Sequence, residues 1–263
     1  MKAYLAILSS RFLALLQYRA AAIAGVGTQL FFGLVRVMIF DGFYRSSSGP
    51  QPMTYDQVVT YIWLGQAMLA LTLLAVDNDV AVMIRTGNVA YEMTRPVDLY
   101  AFWFARALSG RAAPLVMRAI PIFIIAGLFL GLQPPVSLRA GLMFVVSAFG
   151  GLLMASSLVA LTTISLLWTI SGEGLNRLAL PLIFFFSGIG IPLPFFPDWS
   201  QPLVAALPFR GLIDTPFRIY LGHLNGQAAT AAVLHQLVWV MVLVIIGRAI
   251  LARGLRKLVV QGG

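Results

Sequence analysis

Six apolar windows, at 20–40, 58–76, 112–132, 141–170, 178–196 and 230–251, run through this sequence almost free of charge. At a rise of 1.5 Å per residue, about twenty helical residues cover the roughly 30 Å of a bilayer's hydrocarbon core. A backbone in hydrocarbon must satisfy its own hydrogen bonds, so windows of this length predict helices. With 60% hydrophobic and 10% charged residues, the chain lies far from the composition of a water-soluble domain. It is predicted to be an all-α membrane protein, one transmembrane domain over 1–263 with six spans. The window 141–170 is the longest and is expected to tilt or project into water.

Cations orient the bundle. With the N-terminus in the cytoplasm, the inner edges hold Lys2, Arg11, Arg19, Arg85, Arg95, Arg106, Arg111, Arg118, Arg177, Arg248, Arg253, Arg256 and Lys257. The outer edges hold only Arg45, Arg139, Arg210 and Arg218, and Arg36 falls inside the first span. Cytoplasmic loops carry the excess of Lys and Arg, so both termini are expected inside. Residues 1–19 begin like a secretory leader, but Arg11, Gln17 and Arg19 interrupt the apolar run. Leu5, Leu8, Phe12, Leu15 and Leu16 follow helical spacing, which predicts a helix lying on the inner leaflet.

Several chemistries are excluded or weakly supported. The net charge of +9 is spread over every inner edge instead of forming one groove interleaved with stacking aromatics, so nucleic acid is not an expected partner. Absence of Cys removes thiolate metal sites and cysteine nucleophiles, and His223 and His235 lack a short metal spacing. The only lysines, Lys2 and Lys257, stand in no phosphate-binding Gly-rich motif. The nine acids fall in loops or at span ends, which argues against a proton relay. Ser187-Gly188, with His235 on the next span, superficially suggests an intramembrane serine protease, yet Phe185 stands where the usual glycine would be. Pro192 and Pro194 are expected to break the fifth helix, Arg36 to snorkel toward Asp41, and Gln66 to seek polar partners. The small and hydroxyl residues from Ser147 to Ser165 predict a closely packed fourth span.

Two connections are more than loops. In 77–111, Asp77 or Asp79 can cap a short helix that ends at Gly87, and Pro96 forces Arg95 to be extended before a second helix from Asp98. Tyr91, Glu92, Arg95 and Asp98 cluster at that turn. In 197–227, prolines rule out one straight helix, and apolar residues alternate with Arg210, Asp214 and Arg218. This second segment is expected to lie at the outer interface or to re-enter the membrane where protein covers it.

The arrangement, with GNVAYEMTRPVDLYAFWFARALSGR at 87–111 and PFRGLIDTPFRIYLG at 208–222, resembles the permease subunit of an ABC type 2 exporter. Within that class it is similar to the subfamily of about 260-residue, six-span permeases whose ATPase is a separate chain. The resemblance implies a multi-pass protein of the bacterial inner membrane, without a nucleotide-binding motif of its own. ATP and Mg would be bound by the partner ATPase, and a second permease, the same or a related chain, would complete the assembly. It implies a cytoplasmic coupling helix near 85–95, with Arg85, Asn88, Tyr91, Glu92 and Arg95 as the ATPase contact and Glu173 and Arg177 as a second candidate. By the same analogy spans two and five wall the pathway, making Gln66, Met68, Phe184, Phe185, Phe186 and Ser187 candidates for an amphipathic or lipid-like cargo. A secondary transporter or channel without an ATPase is the rival reading.

Overall fold

The computed structural model describes residues 2–94, 96–169 and 173–256, and every regular element among them is helical. In chain order these are α1 (Lys2–Leu15), α2 (Arg19–Ser46), α3 (Tyr55–Ala67), α4 (Asn78–Arg85), α5 (Val89–Met93), α6 (Leu99–Phe129), α7 (Leu138–Ser165), α8 (Glu173–Phe186), α9 (Gln201–Ala206), α10 (Asp214–Tyr220) and α11 (Gly226–Leu255). Four of them, α2, α6, α7 and α11, are long and apolar enough to cross a membrane.

The caps follow from residue chemistry. Thr54 opens α3 with a reciprocal box, its hydroxyl accepting from Gln57 N while Gln57 Oε1 accepts from Thr54 N. Asp77 accepts from Asp79 N and Val80 N to start α4, and Asp98 accepts from Ala101 N at 2.7 Å to start α6. Gly87 takes φ +76° just past α4, a conformation that favours glycine. The helix expected from Asp98 and the third span are one continuous α6, which carries Pro114 and Pro121 internally.

The packing centres on α7. In its most apolar window 61% of residues are buried, against 17–22% for the other three long helices. Ser147, Gly150, Gly151, Ser156, Ser157 and Thr163 line its buried surface, so the small residues expected to give close contacts do so within this chain. A Cβ at Gly151 would come within 3.1 Å of the carbonyls of Gly211 and Leu212. α7 meets α6, α10 and α11, and α1 lies along α6.

Two expected spans are not single helices. The window 58–76 gives α3, a 3-10 turn at Leu69–Leu71 and an irregular run to Asp77. Thirteen residues of helix reach only about 20 Å. The unwound stretch persists because Arg111 of α6 donates to the carbonyls of Ala70 and Ala75, both at 3.3 Å. The window 178–196 gives α8, which stops at Phe186, earlier than Pro192 and Pro194 suggest. The break falls at Gly188, with φ +89°, where the chain turns toward α10. Arg36 of α2 donates through Nη2 to the carbonyls of Ile189 and Gly190. Arg36 therefore does not reach toward Asp41, which pairs with Arg45 at 2.8 Å.

The segment after α8 folds inward. Leu212, Ile213, Asp214, Thr215 and Phe217 are almost fully buried, and α10 packs on α7. Tyr220 Oη donates to Gln133 O at 2.8 Å, holding this segment against the α6–α7 connection. Gln236 of α11 donates to Gly211 O at 2.7 Å and to Ser147 O at 3.0 Å, and accepts from Ser147 Oγ at 3.0 Å. An amide buried among apolar residues is tolerated when its donors and acceptor are used in this way.

Candidate coupling face and membrane clefts

α4 and α5 form a short helical hairpin at the end of the bundle where α1 lies and where α6 begins. Its inner side belongs to a second apolar cluster. Val80 and Val89 are fully buried there beside Tyr100, Phe102 and Trp103 of α6, Ile164 of α7 and Leu251 of α11. Charge fixes the same hairpin from outside that cluster. Asp77 accepts from Arg106 Nε at 2.9 Å and Nη2 at 3.0 Å, and pairs with Arg11 of α1 at 3.0 Å. Burial alone would raise the Asp77 carboxyl, but hydrogen bonds and charge from Arg106, with Arg11 behind, outweigh it and hold Asp77 below the usual carboxylate range. Asp98 pairs with Arg248 of α11 at 3.2 Å, and its backbone N–H donates to Tyr4 Oη at 2.8 Å. The hairpin thus sits against a cluster shared by α1, α6, α7 and α11.

The outer side of the hairpin is open. Tyr91 is 74% exposed, Met93 and Val82 are more than half exposed, and Arg85 and Asn88 are at the surface. Glu92 departs from the expected contact set. It is only 7% exposed. Arg95 lies outside the described residues. Glu173 opens α8, and Arg177 is exposed one turn later.

The pathway candidates divide into two groups. Gln66, Met68 and Ser187 are buried in the core, where Ser187 Oγ accepts from Ile189 N. His235 is engaged with Ala206 O and Trp239 and has no contact with Ser187, so the two do not form a nucleophile–base pair. Phe184 and Phe185 are about half exposed and Phe186, partly buried, stacks on Phe209. Phe184 and Phe185 line a cleft of about 490 Å³ with Leu69, Leu73, Leu180 and Arg36. Further along α2, a second cleft of about 460 Å³ is lined by Ile39, Phe40, Phe43, Ile191, Phe195 and again Arg36.

Two polar features here were not legible as sites in the sequence. Arg36 was visible as an arginine within a span, yet its acceptors lie about 150 positions away. Asp214 reads as a loop acid, but it is 2% exposed, accepts from Tyr61 Oη at 3.2 Å and lies 3.9 Å from Arg218. Its N–H donates to Ser187 O at 3.0 Å, which joins α10 to the end of α8.

The profile of the family described as ABC-2 family transporter protein matches residues 28–262, nearly the whole chain. The chain belongs to the ABC-2 transporter family. It is a multi-pass membrane protein of the kind that serves as the permease component of an ABC transporter. Membership implies association with an ABC ATPase. No curated protein matches the sequence closely enough to add a relative.

Proposed function

We propose that this ABC-2 chain is the permease subunit of an ATP-driven exporter, and that its ATPase docks on the open side of the α4–α5 hairpin. One observation carries the reading. The hairpin exposes Tyr91, Arg85 and Asn88, while Val80 and Val89 are buried in the cluster it shares with α1, α6, α7 and α11. An aromatic anchor within a polar surround is a common way to fix a docking contact. The sequence carries no phosphate-binding loop, so ATP and magnesium are bound in the partner.

In this reading the chain crosses the membrane six times. α3 and α8 cross together with the irregular stretches that extend them, and both termini face the cytoplasm of a bacterial cell by the cation bias. Leu5 and Leu13, exposed on α1, rest on the inner leaflet. Closure of two ATPases around ATP pushes the hairpins, and the helices fused to them move as rigid bodies. A second permease, identical or related, completes the transporter. An amphipathic or lipid-like molecule leaves outward along the α2–α8 side, where Phe184 and Phe185 face a cleft.

Affinity purification of the tagged chain tests the contact. Wild type should retain an ATPase subunit, while Tyr91→Ala and Arg85→Glu should lower its recovery about tenfold at unchanged permease yield, the loss expected of an interface anchor. Wild type that purifies folded without any ATPase overturns the reading and favours a secondary transporter.

A further inference from the structure

Arg36 carries a charge that the described residues do not balance. Among the described residues no carboxylate lies within ion-pair reach of it, and its two hydrogen bonds, to Ile189 O and Gly190 O, both leave from Nη2. A guanidinium has five N–H donors, so those on Nε and Nη1 have no partner among the described residues. The carbonyl bonds explain how the broken end of α8 is tolerated, yet they neutralise nothing. An arginine inside a span without a counter-ion is costly, and such residues mark ligand or ion sites.

The surroundings specify the ligand. Among the described residues Arg36 is the one charged side chain lining the two clefts, and it lines both. α2 runs away from the end where the α4–α5 hairpin sits, so Ile39, Phe40 and Phe43 lie on one side of Arg36 along the bundle. Leu180 and Phe184, on α8 before its break, lie on the other. The clefts are therefore stacked with the guanidinium between them. Each volume is within the range of small-ligand sites. Apolar walls above and below a single cation suit a molecule with a chain and an anionic head. A zwitterionic head brings its own cation to the same place, and a neutral one leaves the charge unbalanced.

We propose that Arg36 holds the anionic headgroup of an amphiphile drawn from the surrounding bilayer, with its acyl chain in the cleft lined by Leu73, Leu180 and Phe184. This rests on the exporter reading for its role in transport, though not for binding itself. It narrows the cargo class from amphipathic molecules to anionic ones.

The test loads the complex, purified from membranes, with equal amounts of lysophosphatidylglycerol and lysophosphatidylcholine bearing the same acyl chain, and counts bound lipid by mass spectrometry. Wild type should prefer the anionic lipid about tenfold, the selectivity expected of one charge-assisted contact. Arg36→Lys should keep most of that preference, and Arg36→Gln should bring it near unity. Arg36→Gln also loses the carbonyl bonds, so Leu73→Trp serves as a second variant that fills the cleft without touching them. It should lower occupancy by both lipids. Equal binding by wild type overturns the proposal, as does a preference unchanged in Arg36→Gln. A permease dimer that excludes both lipids and separates in Leu73→Trp also overturns it, because the occupant would then be a second copy. Selective binding without ATP-driven movement of the lipid in proteoliposomes leaves this site standing and sinks the exporter reading.

Discussion

Gly188→Ala should be among the most damaging single-methyl additions in this protein. A Cβ at Gly188 would sit 2.2 Å from Tyr61 Oη, 3.3 Å from Leu193 Cγ and 3.4 Å from Asp214 Cβ, at a residue whose φ is +89°. The backbone conformation costs a non-glycine residue about 1–2 kcal/mol. Displacing the Tyr61 hydroxyl removes its 3.2 Å hydrogen bond to buried Asp214, and a buried acceptor stripped of a donor costs about 1–3 kcal/mol. The sum is about 2–5 kcal/mol, the two effects being treated as separate. The assay is thermal unfolding of detergent-purified protein, with Gly27→Ala as control because nothing lies within 4 Å of a Cβ there. The control should be neutral or more stable by up to about 1 kcal/mol, as expected of Gly to Ala in a helix. Combining Gly188→Ala with Tyr61→Phe isolates the clash. Phe lacks the oxygen that the new methyl strikes and the hydrogen bond is then lost only once, so the pair should cost about 1–3 kcal/mol less than the two single changes added together. Strict additivity would refute the argument, since it would mean the hydroxyl and the methyl never compete for the same space.

Asp77 is held below the usual carboxylate range in the folded protein, so its contribution is complete above the unfolded value and is lost as pH falls through the folded one. Stability measured against pH should accordingly show an acid limb below about pH 4 that Asp77→Asn removes, at a cost near neutral pH of about 2–3 kcal/mol for losing the half-buried pairs with Arg106 and Arg11, both of which keep Asp79 as a partner. Gln236→Ala removes the amide that donates to the carbonyls of Gly211 and Ser147 and accepts from Ser147 Oγ. It should lower stability by about 2–3 kcal/mol, and hydrogen exchange should quicken first in residues 209–220, because that segment is the one Gln236 holds to α7.

Residue order alone determined that this chain is helical and lives in a membrane, since a long apolar run has few other solutions once water is absent. It also placed a helix start at Asp77 or Asp79, another at Asp98 and the turn at Gly87, because these depend on residues within a few positions of one another. The surface around Arg85, Asn88 and Tyr91 was legible for the same local reason. Glu92 was not, because which side of a five-residue helix faces inward depends on the cluster formed by Val80, Val89 and α6. Tertiary structure decided where α3 and α8 stop. Hydropathy continues through 68–76 and 187–196, but distant guanidinium groups on Arg111 and Arg36 supply the donors that let the backbone unwind there. It also decided that Asp214, in sequence a loop acid, is buried beside Tyr61. Periodicity and composition report what a segment can bury. Which distant partner satisfies an exposed carbonyl or an isolated charge is fixed only when the helices assemble.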